Sequence, residues 1–134
     1  MEELGFEIQL KIPYQQALDR ISSELKVEGF GILTRIDIKS TFKEKLGVDF
    51  RSYSILGACN PTLSHKALIA DPQIGLLLPC NVTVEEINPE ESLIRIVNPE
   101  TMLNIGNKLH NKDLEQVAQS AREKLERVAR ALKS

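Results

Sequence analysis

Alternating apolar and polar residues near the start of the chain constrain its fold more than any other feature. Apolar side chains occupy every second position of residues 4–12, and the positions between them hold Gly5, Glu7, Gln9 and Lys11. A period of two is typical of a β-strand with one buried side and one wet side. A second alternating segment lies at about 30–38, and further strands are predicted at about 52–58, 75–86 and 93–97, which brings the number of predicted strands to about five. Because several strands keep a polar side, they predict a mainly antiparallel sheet covered by helices on one face.

Apolar residues spaced three and four apart predict helices between these strands. One helix follows Pro13, and a short one is predicted by a capping box at Thr41 and a stop at Gly47. A third is predicted to have Asn60 as its N-cap and Pro61 as its first residue. Within the fourth strand, Pro79 favours an edge position or a bulge, since proline donates no hydrogen bond.

The last predicted helix, at about 114–132, carries apolar residues at strict steps of four and three, in a narrow seam (Leu114, Ala118, Ala121, Leu125, Val128 and Leu132). Packing on the sheet is the favoured interpretation, and packing on a second copy of the chain is the alternative. Together these patterns predict an α+β fold with a long C-terminal helix.

Length and composition predict one domain over residues 1–134, with 42% hydrophobic and 27% charged residues. The acidic start has no apolar run, so neither a signal peptide nor a membrane partner is expected, and the predicted location is the cytoplasm. A net charge of −2 provides no basic stripe for a phosphate backbone, so nucleic acid is not an expected partner.

The two cysteines of the chain each lie in a Cys-Asn dipeptide close to a proline. Cys59 precedes the predicted cap Asn60, where a helix N-terminus would stabilise a thiolate, although a structural role is the alternative. Cys80 shares its strand side with apolar residues, which favours a core position. If strands three and four are antiparallel neighbours and the fourth begins near residue 75, the two cysteines would lie apart; another arrangement would bring them together.

His65 adds a third metal-ligating side chain to Cys59 and Cys80. The set is a weak candidate for a metal site because it lacks the closely spaced cysteine pair of structural zinc sites. A surface histidine is the favoured alternative. No arrangement of Ser, His and Asp indicates nucleophilic hydrolysis.

Two segments that contain the cysteines, 53–61 and 75–84, resemble the uncharacterised family catalogued as domain of unknown function 302. Asp71-Pro72 between them and the stretch 45–50 also fit, and the resemblance extends over about residues 4–133. It implies a curved antiparallel sheet that holds a long C-terminal helix, akin to TATA-binding-protein-like or helix-grip folds, often in a homodimer. It supplies no catalytic residue, and the cofactor, if any, stays unknown.

Three functional hypotheses follow from the residues. The first is a binding module for a thiophilic ligand, metal ion or sulfur species, with Cys59, Asn60, Cys80 and Asn81 as candidate ligand-binding residues. The second is binding of an apolar small molecule between the sheet and the last helix. The third is a thiol-dependent enzyme, which ranks lower because no base is recognisable.

Overall fold

The structure, a computed structural model, describes residues 3–134. The strands are β1 (Gly5–Leu10), β2 (Gly31–Asp37), β3 (Tyr53–Cys59), β4 (Cys80–Asn88) and β5 (Glu91–Val97). The helices are α1 (Tyr14–Val27), α2 (Ile38–Leu46), α3 (Pro61–Ala70), α4 (Pro99–Ile105) and α5 (Lys112–Lys133), with a 3-10 helix over Pro72–Leu77. No helix within the described residues is both long enough and apolar enough to cross a bilayer.

The five strands form one sheet in the order β1-β5-β4-β3-β2, and every neighbouring pair is antiparallel. Ile8, Ile94 and Val84 lie side by side across three strands and are at most 2% exposed. This apolar row belongs to the sheet face that packs against α1 and α5. The predicted α+β fold is therefore confirmed.

Helix α5 buries its whole apolar seam inside the chain. Each seam residue is at most 5% exposed (Leu114, Ala118, Ala121, Leu125, Val128 and Leu132). Fully burying a large apolar side chain stabilises a fold by about 1.5–3 kcal/mol, so the seam is a major source of stability. Packing within the chain is confirmed, and the alternative use of this seam to pair with a second copy is wrong.

Two clusters of buried side chains meet along α5. The C-terminal half of α5 packs with α1 and the sheet, whereas Leu114, Val117 and Ala118 pack with α3, the 3-10 helix and α4. Helix α4 was not among the predicted helices. Its signal is an Asn-Pro pair like that of α3: the side chain of Asn98 caps the helix by accepting a hydrogen bond from the Glu100 amide, and Pro99 is the first helical residue.

The predicted fourth strand, 75–86, is wrong in its first part. Residues 72–77 form the 3-10 helix, which begins where Asp71 accepts a hydrogen bond from the Gln73 amide at 2.9 Å. Strand β4 begins only at Cys80 and lies in the centre of the sheet. Pro79, preceded by a cis peptide bond, comes before the strand and needs no edge position.

A bulge in β2 changes which of its side chains face each side of the sheet. The pairing with β3 shifts between Ile32 and Thr34, which leaves Leu33 as an extra residue. Such a bulge turns the following side chains to the other side of the sheet. The expectation that Ile32 and Ile36 share a side is therefore wrong, and Ile36 is 47% exposed.

Helix α2 begins earlier than the predicted capping box. Asp37 is its N-cap and accepts a hydrogen bond from the Ser40 amide at 3.1 Å, so the cap assigned to Thr41 is wrong. The stop at Gly47 is confirmed by its left-handed backbone, with φ of 66°.

Candidate functional site

An apolar cavity of about 270 Å³ lies beside the ends of β3 and β4 where the two cysteines stand. Ala58, Cys59 and Cys80 form its sheet side. Helix α3 and the 3-10 helix form a second wall, and α4 and α5 form a third. The cavity thus lies where the two buried clusters meet.

Uncharged side chains line this cavity throughout. Among the described residues that form its wall, none is Asp, Glu, Lys, Arg or His. Its polar side-chain groups come from Cys59, Cys80, Asn60 and Ser64. A bound charge would therefore meet no opposite charge in the wall.

The sheet register brings the two cysteines to neighbouring positions. Cys80 is the first residue of β4 and lies opposite Ala58, the residue before Cys59. Strands β3 and β4 are antiparallel, so the expectation that this arrangement separates the cysteines is wrong, because β4 begins at Cys80 rather than near residue 75. Both cysteines are free and form no disulfide.

The Cys80 thiol is a buried neutral group. Its residue is 8% exposed, as the apolar pattern predicted, and within residues 3–134 it makes no hydrogen bond. Burial, with a smaller contribution from the nearby Cys59, raises the pKa of Cys80 to about 11. The thiol therefore keeps its proton at neutral pH.

Cys59 is partly buried and has a hydroxyl partner. Its Sγ lies 3.0 Å from Ser64 Oγ, and the Ser64 hydroxyl donates to the Asn60 carbonyl oxygen at 3.0 Å. Because a hydroxyl has only one proton to donate, the thiol donates to Ser64 Oγ when Ser64 bonds the carbonyl. Cys59 thus lies just before the N-cap of α3 and is linked through the Ser64 hydroxyl to the Asn60 carbonyl oxygen.

Asn60 confirms its predicted role as the cap of α3. Its Oδ1 accepts from the Leu63 amide at 3.2 Å, while its Nδ2 donates to the Glu28 carbonyl oxygen at 3.4 Å. Asn60 lines the cavity, but both polar atoms of its side chain are engaged in the fold. We therefore infer that the Asn60 side chain stabilises the cavity wall.

Asn81 and His65 do not line the cavity. Asn81 follows Cys80 on the strand and points to the opposite sheet face, where it lines a separate shallow groove with Tyr53 and Thr83. His65 is exposed on α3. No three His, Cys, Asp or Glu side chains of the described chain are grouped to hold a metal ion, so the candidate set of Cys59, Cys80 and His65 is not assembled.

The wall residues contributed by α4 and α5 are missing from the predicted site. Met102 and Leu103 come from α4, and Ala118 and Ala121 come from α5. The two alanines were visible in the sequence as small members of the seam. Their small side chains leave space beside α3, which sequence spacing alone did not link to the cysteines.

The opposite sheet face carries a network of charged side chains. Glu85 is 6% exposed, pairs with Arg51, and accepts a hydrogen bond from Arg95 at 2.7 Å; Arg95 also reaches Glu7 at 2.8 Å. Burial acts to raise the pKa of Glu85, but hydrogen bonds and charges from Arg95 and Arg51 outweigh it and hold this pKa below its usual range. The network is part of the outer face and none of its residues lines the cavity.

These features define a small α+β protein in which an antiparallel sheet and a long C-terminal helix border an apolar cavity with two thiols. The family model described as "Domain of unknown function DUF302" matches residues 6–132, and the chain belongs to this family. The resemblance noted in the sequence is thus confirmed.

A solved structure shares this fold. The crystal structure of uncharacterized conserved protein DUF302 from Bacillus stearothermophilus is 24% identical in sequence and matches with a TM-score of 0.83. The match covers 96% of this chain and 97% of the other. No curated protein matches the chain.

Proposed function

We propose that this protein binds a small, neutral, mostly apolar molecule in the cavity beside Cys59 and Cys80. The observation that carries the proposal is an uncharged space of about 270 Å³ whose wall includes both thiols. An apolar cavity of roughly 150 Å³ already suffices for benzene, so this one has room for a somewhat larger ligand.

The wall favours neutral ligands over ions. Moving an unpaired carboxylate or ammonium from water into an apolar site costs far more free energy than the contacts return. Since no charged side chain of the described residues lines the cavity, an organic ion would lack a partner there. A hydrocarbon-like ligand with one weakly polar group fits these surroundings better.

The two thiols supply soft, polarisable contacts to such a ligand. This supports the part of the thiophilic hypothesis that concerns neutral ligands. A metal ion has less support, because bound thiols must lose their protons and burial raises the pKa of Cys80 to about 11. A thiol-dependent enzyme also has less support, since no carboxylate or imidazole among the described residues lines the cavity to act as a base.

Titration with 3-octanone, a neutral probe of suitable size, tests the proposal, and octanoate is its charged counterpart. We expect saturable binding of 3-octanone by calorimetry, and binding of octanoate at least about tenfold weaker. Equal affinity for octanoate, or no binding of 3-octanone, would contradict the proposal.

Two matched variants of α5 locate the binding. Ala118 lines the cavity, whereas Ala129 is 7% exposed, packs in the core beside α1 and the sheet, and does not line the cavity. Ala118→Leu places extra atoms in the cavity and should weaken 3-octanone binding about tenfold or more. Ala129→Leu should leave the affinity of the folded protein unchanged. Circular dichroism checks that each variant is folded.

A further inference from the structure

We propose that Cys59 is a covalent capture site for a soft electrophile, an apolar α,β-unsaturated ketone held in the cavity. The inference rests on the proposed function, because the ligand must enter the cavity before its reactive carbon can meet the sulfur. It adds a chemical class of ligand and an atom of attachment to that function.

Position and surroundings favour Cys59 as the attacking thiol. Its sulfur belongs to the cavity wall and lies 3.0 Å from Ser64 Oγ. The residue is partly exposed, so a ligand can reach it without opening the core. It also precedes the N-terminus of the ten-residue helix α3, whose backbone dipole stabilises negative charge on sulfur during attack.

Cys80 provides an independent indication of a ligand in the same cavity. Its side chain is 8% exposed, lines the wall, and makes no hydrogen bond within the described chain. A protonated thiol is a weak hydrogen-bond donor. The unpartnered Cys80 thiol can therefore donate to the carbonyl oxygen of a bound ketone, while Cys59 faces the same space.

The capture step is the conjugate addition of the Cys59 thiol to the ketone. A bond forms between Cys59 Sγ and the β-carbon of the ketone, and the carbon–carbon π bond breaks, so that its electron pair moves through the α-carbon toward the carbonyl oxygen. The thiol proton ends on the α-carbon. Ser64 Oγ, which accepts the thiol hydrogen bond, positions the sulfur and its proton for this transfer.

No oxidant, reductant or leaving group is required, because one thiol adds across one double bond. The reverse elimination restores both partners. The outcome is therefore reversible retention of the ligand rather than turnover. This fits a cavity whose wall, among the described residues, contains no carboxylate or imidazole.

The test compares 1-octen-3-one with its saturated counterpart 3-octanone. Intact-mass spectrometry and peptide mapping should find one octenone added, at Cys59, and excess 3-octanone should slow the addition. Cys59→Ala should abolish this adduct, and Cys80→Ala should retain it at Cys59. Ala118→Leu should slow labelling about tenfold or more by filling the cavity, in line with its loss of binding.

Ser64 is tested through its hydroxyl. Ser64→Ala should slow the labelling of Cys59, and Ser64→Thr, which keeps a hydroxyl at the position, should restore the rate. Because Ser64 lines the cavity, the affinity of each variant for 3-octanone is measured as well, and labelling rates are compared at equal occupancy of the cavity. An unchanged labelling rate in Ser64→Ala would overturn the positioning role of Ser64.

Failure of this inference differs from failure of the proposed function. If 3-octanone binds but octenone labels Cys59 no faster than it labels free cysteine, covalent capture is wrong and reversible binding stands. If 3-octanone does not bind and labelling is indifferent to Ala118→Leu, Cys59 is merely an accessible thiol, and both proposals are wrong.

Discussion

The Cys80 thiol links the burial of one residue to the stability of the chain at alkaline pH. Its pKa is about 11 in the folded protein, against an ordinary value of 9.0. Above pH 9.0 an unfolded chain loses this proton while the folded chain keeps it, so the equilibrium moves toward unfolding. This contribution to stability is present below that pH and is lost as the pH rises toward 11.

We therefore expect the free energy of unfolding to fall by about 2–3 kcal/mol between these pH values through Cys80 alone. Denaturant titrations at several pH values measure it. Other groups also titrate in this pH range, so the test compares the fall in the free energy of unfolding of the unaltered protein with that of Cys80→Ala. The variant should lack the part of the fall that is due to Cys80. Cys59→Ala serves as the control and should keep most of it, because burial is the larger cause of the raised pKa of Cys80. A parallel pH profile for Cys80→Ala and the unaltered protein would contradict the prediction.

Glu85 is expected to stabilise the outer face of the sheet. Glu85→Gln leaves Arg51 and Arg95 without their shared carboxylate and should cost about 1–3 kcal/mol, by chemical denaturation at neutral pH. Because the pKa of Glu85 lies below its ordinary value of 4.5, its contribution is present above that pH and is lost as the pH falls through the folded-state value.

Asp49→Asn is the control for Glu85→Gln. Asp49 also pairs with a cation, Lys43, but its side chain is 93% exposed. Exposed ion pairs contribute little, so this change should have almost no effect on stability. Equal losses in the two variants would show that burial of Glu85 is not the cause.

At the scale of elements, the entry to α3 depends on one side chain. Asn60→Ala removes the hydrogen bond to the Leu63 amide and should destabilise the protein by about 1 kcal/mol in thermal or chemical unfolding. Asn60→Asp retains an oxygen that can accept this bond, so it should recover most of the loss. If Asn60→Asp were as destabilising as Asn60→Ala, the donor bond to the Glu28 carbonyl oxygen would be the important one.

Elements with local signals were predictable from sequence, and those that depend on distant contacts were not. The cap and first turn of α3 lie within three residues, and β1 shows its alternation directly. The apolar segment 75–79 was included in the fourth predicted strand, but its first residues belong to the 3-10 helix and Pro79 precedes β4. The bulge at Leu33 leaves no mark in the alternation until β3 is placed beside it.

At the scale of the whole molecule, α5 holds the two buried clusters together. Leu125 is fully buried in the cluster with the sheet, so Leu125→Ala should cost about 2–5 kcal/mol. Calorimetric unfolding measures the loss. Arg130→Ala, at a residue whose side chain is 68% exposed, is the control and should change little.

The expected homodimer stays a prediction, which sedimentation velocity checks. Because the α5 seam is buried within the chain, a dimer would have to use another surface. Leu125→Ala should therefore lower stability without shifting the sedimentation of the folded species. A change of oligomeric state in the folded variant would contradict the assignment of the seam to the core.

The sequence predicted the part of the candidate site that comes from the two Cys-Asn motifs, but not the part that comes from α4 and α5. Cys59, Asn60 and Cys80 line the cavity as a sequence motif suggested, whereas Asn81 points away because neighbours on a strand alternate. The contributions of α4 and α5 come from residues about 20 to 60 positions away in sequence, and only the folded chain brings them to the cysteines.

The extra residue in β2 also bears on how the protein avoids aggregation. Strand β2 is at one end of the sheet, where unpaired backbone groups offer a template for another chain, and a bulge interrupts that template. The residue that makes the bulge, Leu33, is 66% exposed and also borders the cavity. Leu33 thus belongs both to the irregular edge of the sheet and to the cavity wall, so a substitution at this position would alter both.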